Sequence, residues 1–204
     1  MQVETFTVGD LSTNCYLVWE GKDAFLVDPG DEAERLLAAL AKRGLTLRAV
    51  FLTHLHFDHF LALPELIAAT GARLMIPAGE AALIGSEKLT FLDMVPPARR
   101  PTLRPDRLLR EGDQVQVGKM TVTLWETPGH SAGGACYCCG DALFSGDTLF
   151  AGSIGKFDPP WGDRADMAKS LARLAACPED YRVFPGHGPA TTLRREQRTN
   201  PFLK

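Results

Sequence analysis

The stretch Thr53-His54-Leu55-His56-Phe57-Asp58-His59 places three of the five histidines and an aspartate within six residues, directly after the apolar run Ala49 to Leu52. Side chains two apart on an extended segment share a face, which aims the imidazoles of His54 and His56 to the same side. Asp58 and His59 then turn inward as a helical stretch, Leu61 to Ala69, begins. Histidine nitrogens and carboxylate oxygens are the usual donors to a zinc-like cation. Four donors this close point to a site for more than one metal.

The two remaining histidines stand in similarly punctuated places. His130 lies in Thr127-Pro128-Gly129-His130-Ser131 after the apolar segment Val122 to Trp125, and His187 in Pro185-Gly186-His187-Gly188-Pro189 after Tyr181 to Phe184. A third such loop, Leu143-Phe144-Ser145-Gly146-Asp147-Thr148, supplies an aspartate. Glycine permits a sharp turn after a strand, and proline stiffens the approach. Every histidine, with Asp58 and Asp147, can therefore converge at one edge of a sheet. No histidine is left to serve as the base of a Ser-His or Cys-His pair, so water is the expected nucleophile.

In this order, T-H-x-H-x-D-H, G-H-S, S-G-D-T and P-G-H-G resemble the motifs of the metallo-β-lactamase-fold hydrolases, and within them the glyoxalase II-like (hydroxyacylglutathione hydrolase-like) thioester hydrolases. The resemblance runs from about Gln2 to Leu203. It implies an α/β fold, the four-layered αββα sandwich, as one domain over residues 1–204. It also implies a first metal on His54, His56 and His130, a second on Asp58, His59 and His187, and Asp147 bridging the two. Asp58 is the implied catalytic carboxylate as well. The implied cofactors are two divalent metal ions, zinc first, with iron or manganese equally compatible with nitrogen and oxygen donors.

Two cations sharing a carboxylate can lower the pKa of a shared water toward about 7. A thiolate leaving group needs little protonation, so a small-molecule thioester, S-acylglutathione or a related compound, is the expected substrate. Lys156, in Gly152-Ser153-Ile154-Gly155-Lys156-Phe157, resembles the family's glutathione-contacting lysine, although Asp158 stands where that family has a tyrosine. Phe60-Leu61 replaces a glycine pair found in many relatives and is expected to narrow the approach to the metals. Glyoxalase II proper adds a C-terminal helical domain that holds glutathione; here the sequence stops at Lys204, so that domain is expected to be missing and the carrier thiol is left open.

Three alternatives are distinct. A persulfide dioxygenase-like enzyme would place one iron on His54, His130 and Asp147, a two-histidine, one-carboxylate set. A β-lactamase is disfavoured because the best-known lactamases of this fold have cysteine, or a different second site, in place of the bridging Asp147. A non-enzymatic scaffold is disfavoured because a complete ligand set with an open position costs stability without function.

The elements that must position these residues follow from the rest of the chain. Its 204 residues, 45% hydrophobic, suffice for one substantial core. A net charge of −3 gives no electrostatic footprint for nucleic acid. No apolar run approaches the roughly 20 residues of a membrane span, and Met1 to Asp10 lacks the features of a signal peptide. Cytosol is the expected compartment, in keeping with an odd count of five cysteines. Cys136, Cys138 and Cys139 read as apolar filler in a strand, and Cys15 and Cys177 as core.

Strands are predicted at Val3–Val8, Asn14–Trp19, Ala24–Val27, Leu47–Leu52, Ala72–Ile76, Gln114–Val117, Met120–Glu126, Ala135–Cys139, Ala142–Ser145 and Tyr181–Phe184. Helices are predicted at Glu32–Arg43, Leu61–Ala69 and Arg164–Ala176, with a closing helix over Thr191–Arg198. Asp28, in Asp28-Pro29-Gly30, is read as an acceptor behind a metal-bound histidine. The proline-rich Pro77 to Pro105, with a short helical piece at Ala78 to Leu83, is expected to be a surface crossover carrying solvated Arg99 and Arg100, the alternative being a flap beside the site.

Overall fold

The computed structural model describes residues 1–204. One six-stranded sheet holds, in spatial order, β1 (Gln2–Val8), β2 (Thr13–Glu20), β3 (Asp23–Val27), β4 (Thr46–Phe51), β5 (Arg73–Pro77) and β6 (Arg107–Leu109). The other holds β7 (Gln114–Val117), β8 (Met120–Glu126), β9 (Ala135–Cys139), β10 (Ala142–Gly146), β11 (Arg182–Pro185) and β12 (Thr191–Thr192). Helices α1 (Ala33–Arg43) and α2 (Leu63–Thr70) cover the first sheet, and α3 (Arg164–Ala176) and α4 (Leu193–Thr199) the second.

Side-chain alternation assigns the layers. Cys15, Leu17, Ala24 and Leu26 pack against Leu36, Leu40, Leu63 and Leu66 of the helices. Their neighbours Tyr16, Val18, Phe25 and Val27 point the opposite way, toward Val122, Leu124, Tyr137 and Phe144 of the second sheet. Beyond that sheet, Cys136, Cys138, Leu143 and Val183 meet Met167, Leu171, Leu174 and Leu193. Strands buried on both faces have no polar side, which is why β2, β3, β9 and β10 read as nearly continuous apolar runs. The result is the αββα sandwich expected from the sequence. The short strands β6 and β12 were not foreseen, because two or three residues carry no periodicity. Cys177, expected in the core, caps the C-terminus of α3 and is only partly buried.

Strand direction sets the position of the site. β3 and β4 are parallel, as are β10 and β11; β8 runs with β10 because each is antiparallel to β9. Their C-terminal ends therefore lie toward one edge, and the loops that leave them carry Asp28, His54, His130, Asp147 and His187.

The two sheets are tied together at that edge. Asn14 donates its backbone N–H to Gly186 O at 2.7 Å, and its side-chain amide donates to Pro185 O at 3.0 Å and Gly188 O at 2.8 Å. Ala135 N–H donates to Thr53 O at 3.0 Å, and the fully buried Tyr137 donates its hydroxyl to Leu52 O at 2.9 Å. Tyr137→Phe keeps the packing but strips a buried carbonyl of its donor. It should lower unfolding free energy by about 1–2 kcal/mol in urea titration, and an unchanged midpoint would show that the bond adds nothing to the joint.

Candidate metal centre

All seven sequence-predicted ligands meet at this edge. His54 Nε2 lies 3.1 Å and His130 Nε2 3.0 Å from the same atom, His56 Nδ1. A single imidazole nitrogen cannot satisfy both neighbours with one proton. Ligands about 2.0–2.1 Å from a tetrahedral zinc-like ion lie about 3.3 Å from one another, close to this spacing.

Beside this group, Asp58 Oδ2 is 3.4 Å from His59 Nε2 and 3.4 Å from His187 Nε2. Asp147 faces both groups, with Oδ2 3.5 Å from His130 Nε2 and 3.6 Å from His187 Nε2, and Oδ1 3.7 Å from His59 Nε2. His59 Nε2 and Asp147 Oδ1 are buried without any hydrogen-bond partner. Buried polar atoms are rarely left so. A divalent cation in each pocket accounts for both, and these clusters fit such ions.

Several of these groups are also held from behind. Asp28, 1% exposed, reaches His59 Nδ1 at 3.0 Å, and it accepts from Thr53 N–H at 2.8 Å and Thr53 Oγ1 at 2.7 Å. It therefore stands behind a ligand histidine, as the sequence suggested. Thr13 donates to Asp58 Oδ2 at 2.6 Å, and the Lys156 carbonyl accepts from His130 Nδ1 at 2.6 Å. Such contacts fix ring orientation and tautomer. Gly186 has no substitute here, because a Cβ would meet the Asp147 carboxylate and sit 2.9 Å from His59 Cε1.

The titration of the two groups differs. Burial, reinforced by neighbouring histidines, holds His54 well below its ordinary pKa and His56 down to about 3; burial also lowers His130. Their lone pairs are free at neutral pH. Burial opposes charge on His59 too, but Asp58, Asp28 and Asp147 outweigh it and lift His59 to about 10. For Asp58, burial is overcome by His59, His187 and Thr13, which hold its carboxyl well below the usual carboxylate range.

Two readings of the sequence are corrected here. The Pro77 to Pro105 connection is the wall of the site rather than a plain crossover. Thr90 O accepts from Phe57 N–H at 2.9 Å, and the Phe91 ring lies 4.9 Å from that of His56 and 4.7 Å from that of Trp161. Its arginines are engaged: Arg99 makes two 2.8 Å bonds to the Asp31 carboxylate, and Arg100 pairs with Glu87. Phe60, expected to narrow the approach, is 0% exposed and belongs to the core under α2, because the 3-10 turn Phe57–His59 rotates it inward.

The sequence reading missed Glu80. It is 0% exposed, and its two oxygens accept from Leu55 N–H at 2.8 Å and Gly133 N–H at 2.7 Å. Leu55 lies between His54 and His56, and Gly133 is three residues past His130, so one carboxylate clamps both loops of the first ligand group. The approach is close enough that a Cβ on Gly79 would lie 2.6 Å from Gly133 Cα. The only signal available in the sequence was Gly79 itself.

A cavity of about 400 Å³ opens over the ligands, lined by His56, Asp58, His130, Asp147 and His187, with Phe91 and Trp161 on one side and Lys156 and Asp158 at the rim. Lys156 is exposed and forms no ion pair within the protein. Glu80→Ala should strand two buried N–H groups at about 1–3 kcal/mol each. It should also weaken metal binding about 10- to 100-fold in a competition titration. Unchanged metal affinity in the folded protein would confine the clamp to stability.

Comparison with known proteins agrees with this architecture. A family model described as the metallo-beta-lactamase superfamily matches residues 8–187. The chain is 33% identical over 213 residues to a probable metallo-hydrolase, YqgX, of Bacillus subtilis, covering 100% of this chain and 98% of that one. It is 32% identical over 217 residues to hydroxyacylglutathione hydrolase GloC of Haemophilus influenzae, again with 100% and 98% coverage. Among solved structures it is similar to BLEG-1 B3 metallo-beta-lactamase, with a TM-score of 0.91, 33% identity and full coverage of both chains. It is also similar to TTHA1623 in a di-iron-bound form, with a TM-score of 0.85, 39% identity, and 98% of this chain and 100% of that one covered. With four ligand loops gathered at one edge of an αββα sandwich, the chain belongs to the metallo-beta-lactamase superfamily, as a metal-dependent hydrolase.

Proposed function

We propose that the protein is a thioester hydrolase of the glyoxalase II-like kind, with one divalent ion on His54, His56 and His130, a second on Asp58, His59 and His187, and Asp147 shared between them. The observation that carries this reading is the position of Asp147, which faces both groups beneath an open cavity. A mononuclear iron site on His54, His130 and Asp147 would use three of the seven donors and leave buried His59 Nε2 without a partner. The two-metal assignment is further supported by the similarity to TTHA1623, which was crystallised in a di-iron-bound form. The thioester assignment is supported by the similarity to GloC.

When bound, the two cations supply a lowered water pKa, toward about 7, and polarise the scissile carbonyl. The protein's own groups do the rest. Asp58 Oδ2 accepts from Thr13 and faces His59 and His187, so Thr13 would orient this carboxylate toward the second ion. Phe91 and Trp161 shield one side of the reacting carbonyl. A leaving thiol with a pKa of about 8.5 departs as thiolate without a dedicated acid. The Lys156 ammonium meets a carboxylate of the carrier as a flexible point charge.

Metal analysis of the purified protein beside an S-acylglutathione hydrolysis assay tests the reading. Two ions per chain are expected at saturation, with activity abolished by chelation and restored by zinc, iron or manganese. Saturation at one ion, with oxygen consumed on a persulfide substrate, would replace the hydrolase with an oxygenase. Lys156→Ala leaves the backbone carbonyl that orients His130 in place. It should therefore raise KM for a carboxylate-bearing thioester several-fold at constant metal content, since it removes binding common to ground and transition states. An unchanged KM for glutathione thioesters and smaller acidic thioesters alike would make Lys156 a solvated surface residue.

A further inference from the structure

A second chamber of about 230 Å³ adjoins the metal cavity. Leu11, Phe57, Asp58 and Met94 line both, so the two are neighbouring compartments separated by the ligand-bearing turn itself. The second chamber adds Leu61, Val95 and Pro96 on its apolar side, opposite a polar side of Gly9, Asp10, Gly30, Asp31 and Arg99. Leu11 is 53% and Met94 71% exposed, and they are two of only five large apolar side chains that the chain leaves open to water. Scattered apolar residues need no explanation. Two that converge on the same passage beside a reactive centre do.

The charges of the two compartments differ. At the rim of the metal cavity Lys156 has no carboxylate partner within the protein. In the second chamber the one cation, Arg99, is consumed by its paired bonds to Asp31, and Asp10 adds an uncompensated negative charge. Each compartment sets three carboxylates against one lysine or arginine, so only the first, once cations sit on its donors, would favour an anionic group beside Lys156. The exposed apolar side of the second, Leu11 and Met94 with Phe57 and Leu61, suits an uncharged, apolar group.

We propose that this chamber is an acyl-binding subsite, so that the substrates are thioesters whose acyl part is a medium-length alkyl or aryl chain, lying over Leu11, Phe57 and Met94 while an acidic carrier meets Lys156. This rests on the thioester reading above. At about 230 Å³ the chamber has room for well more than a two- or three-carbon acyl group. Leu61 is part of its wall, which gives the Phe60-Leu61 pair a role in shaping the substrate site through its second member. Each methylene moved out of water into the chamber should raise kcat/KM about two- to fourfold until the space is filled.

The test uses the metal-loaded enzyme and one series, S-acetyl-, S-butyryl-, S-hexanoyl-, S-octanoyl- and S-phenylacetyl-glutathione, with S-ethyl- and S-octyl-glutathione thioethers as non-hydrolysable ligands. The expected result is a kcat/KM rising by 30-fold or more from acetyl to octanoyl, and a tighter Kd for the octyl than for the ethyl thioether. In Leu11→Ser/Met94→Ser the octanoyl-to-acetyl ratio should fall toward one; both side chains are largely exposed, so the fold is not at risk. A flat series, or a slope that survives the double substitution, overturns the subsite while the thioester reading stands. No hydrolysis anywhere, with the octyl thioether still preferred through Leu11 and Met94, keeps the subsite and removes the thioester reading. No hydrolysis and no thioether preference removes both.

Discussion

Five imidazoles and three carboxylates occupy one dry edge of the sandwich, and their lone pairs point at one another across about 3–4 Å. His59 draws on the carboxylates around it, but the imidazole nitrogens of His54, His56 and His130 face one another, and desolvated polar atoms that face like atoms gain little from each other. Much of the remaining architecture meets this constraint. Asn14 and Tyr16 fasten the His187 loop to the first sheet through the Pro185 and Gly188 carbonyls. Asp28 and Thr53 lock the approach to His54, and Glu80 binds that segment to the loop of His130. These contacts hold the candidate donors from behind, which is the support a reactive metal centre requires.

The side facing the substrate is built by other means. Its walls are a proline-rich connection, a β1–β2 turn and the Gly155 to Trp161 loop, held by ring contacts and by surface ion pairs such as Arg99 with Asp31. Exposed pairs of this kind contribute little to stability. Loops therefore determine what enters and strand ends determine what reacts. Substitution at Leu11, Met94 or Lys156 can change the substrate without disturbing the donors.

The division between legible and illegible parts of the sequence follows the range of the physical cause. The gathering of the candidate donors was readable because donor type and spacing are local, and each loop that carries them follows an apolar run. The strands were readable because burial on both faces leaves an unbroken apolar signature. Glu80 was not readable, since a glutamate in a short helical piece is ordinarily a surface residue; its burial depends on a backbone contact between Gly79 and Gly133, residues far apart in the chain. The role of the Pro77 to Pro105 segment was likewise set by tertiary placement, with the Phe91 ring tilted against Trp161 of a distant loop. Phe60 was misjudged because a three-residue turn decides its direction, and no periodicity extends over so short a piece.

The spacing of the ligands also has a consequence before the fold exists. His54, His56, Asp58 and His59 lie so close in the chain that they remain a chelating segment when it is unfolded, whereas His130, Asp147 and His187 join them only through tertiary structure. A cation therefore has affinity for both ends of the folding reaction, and the stabilisation it lends to the native state is reduced by whatever it gives to the denatured one. Metal present while the chain is being made can seize this short segment first. The unfolded segment offers four donors and the folded edge seven, so only the difference between the two sets would count toward the stability of the fold.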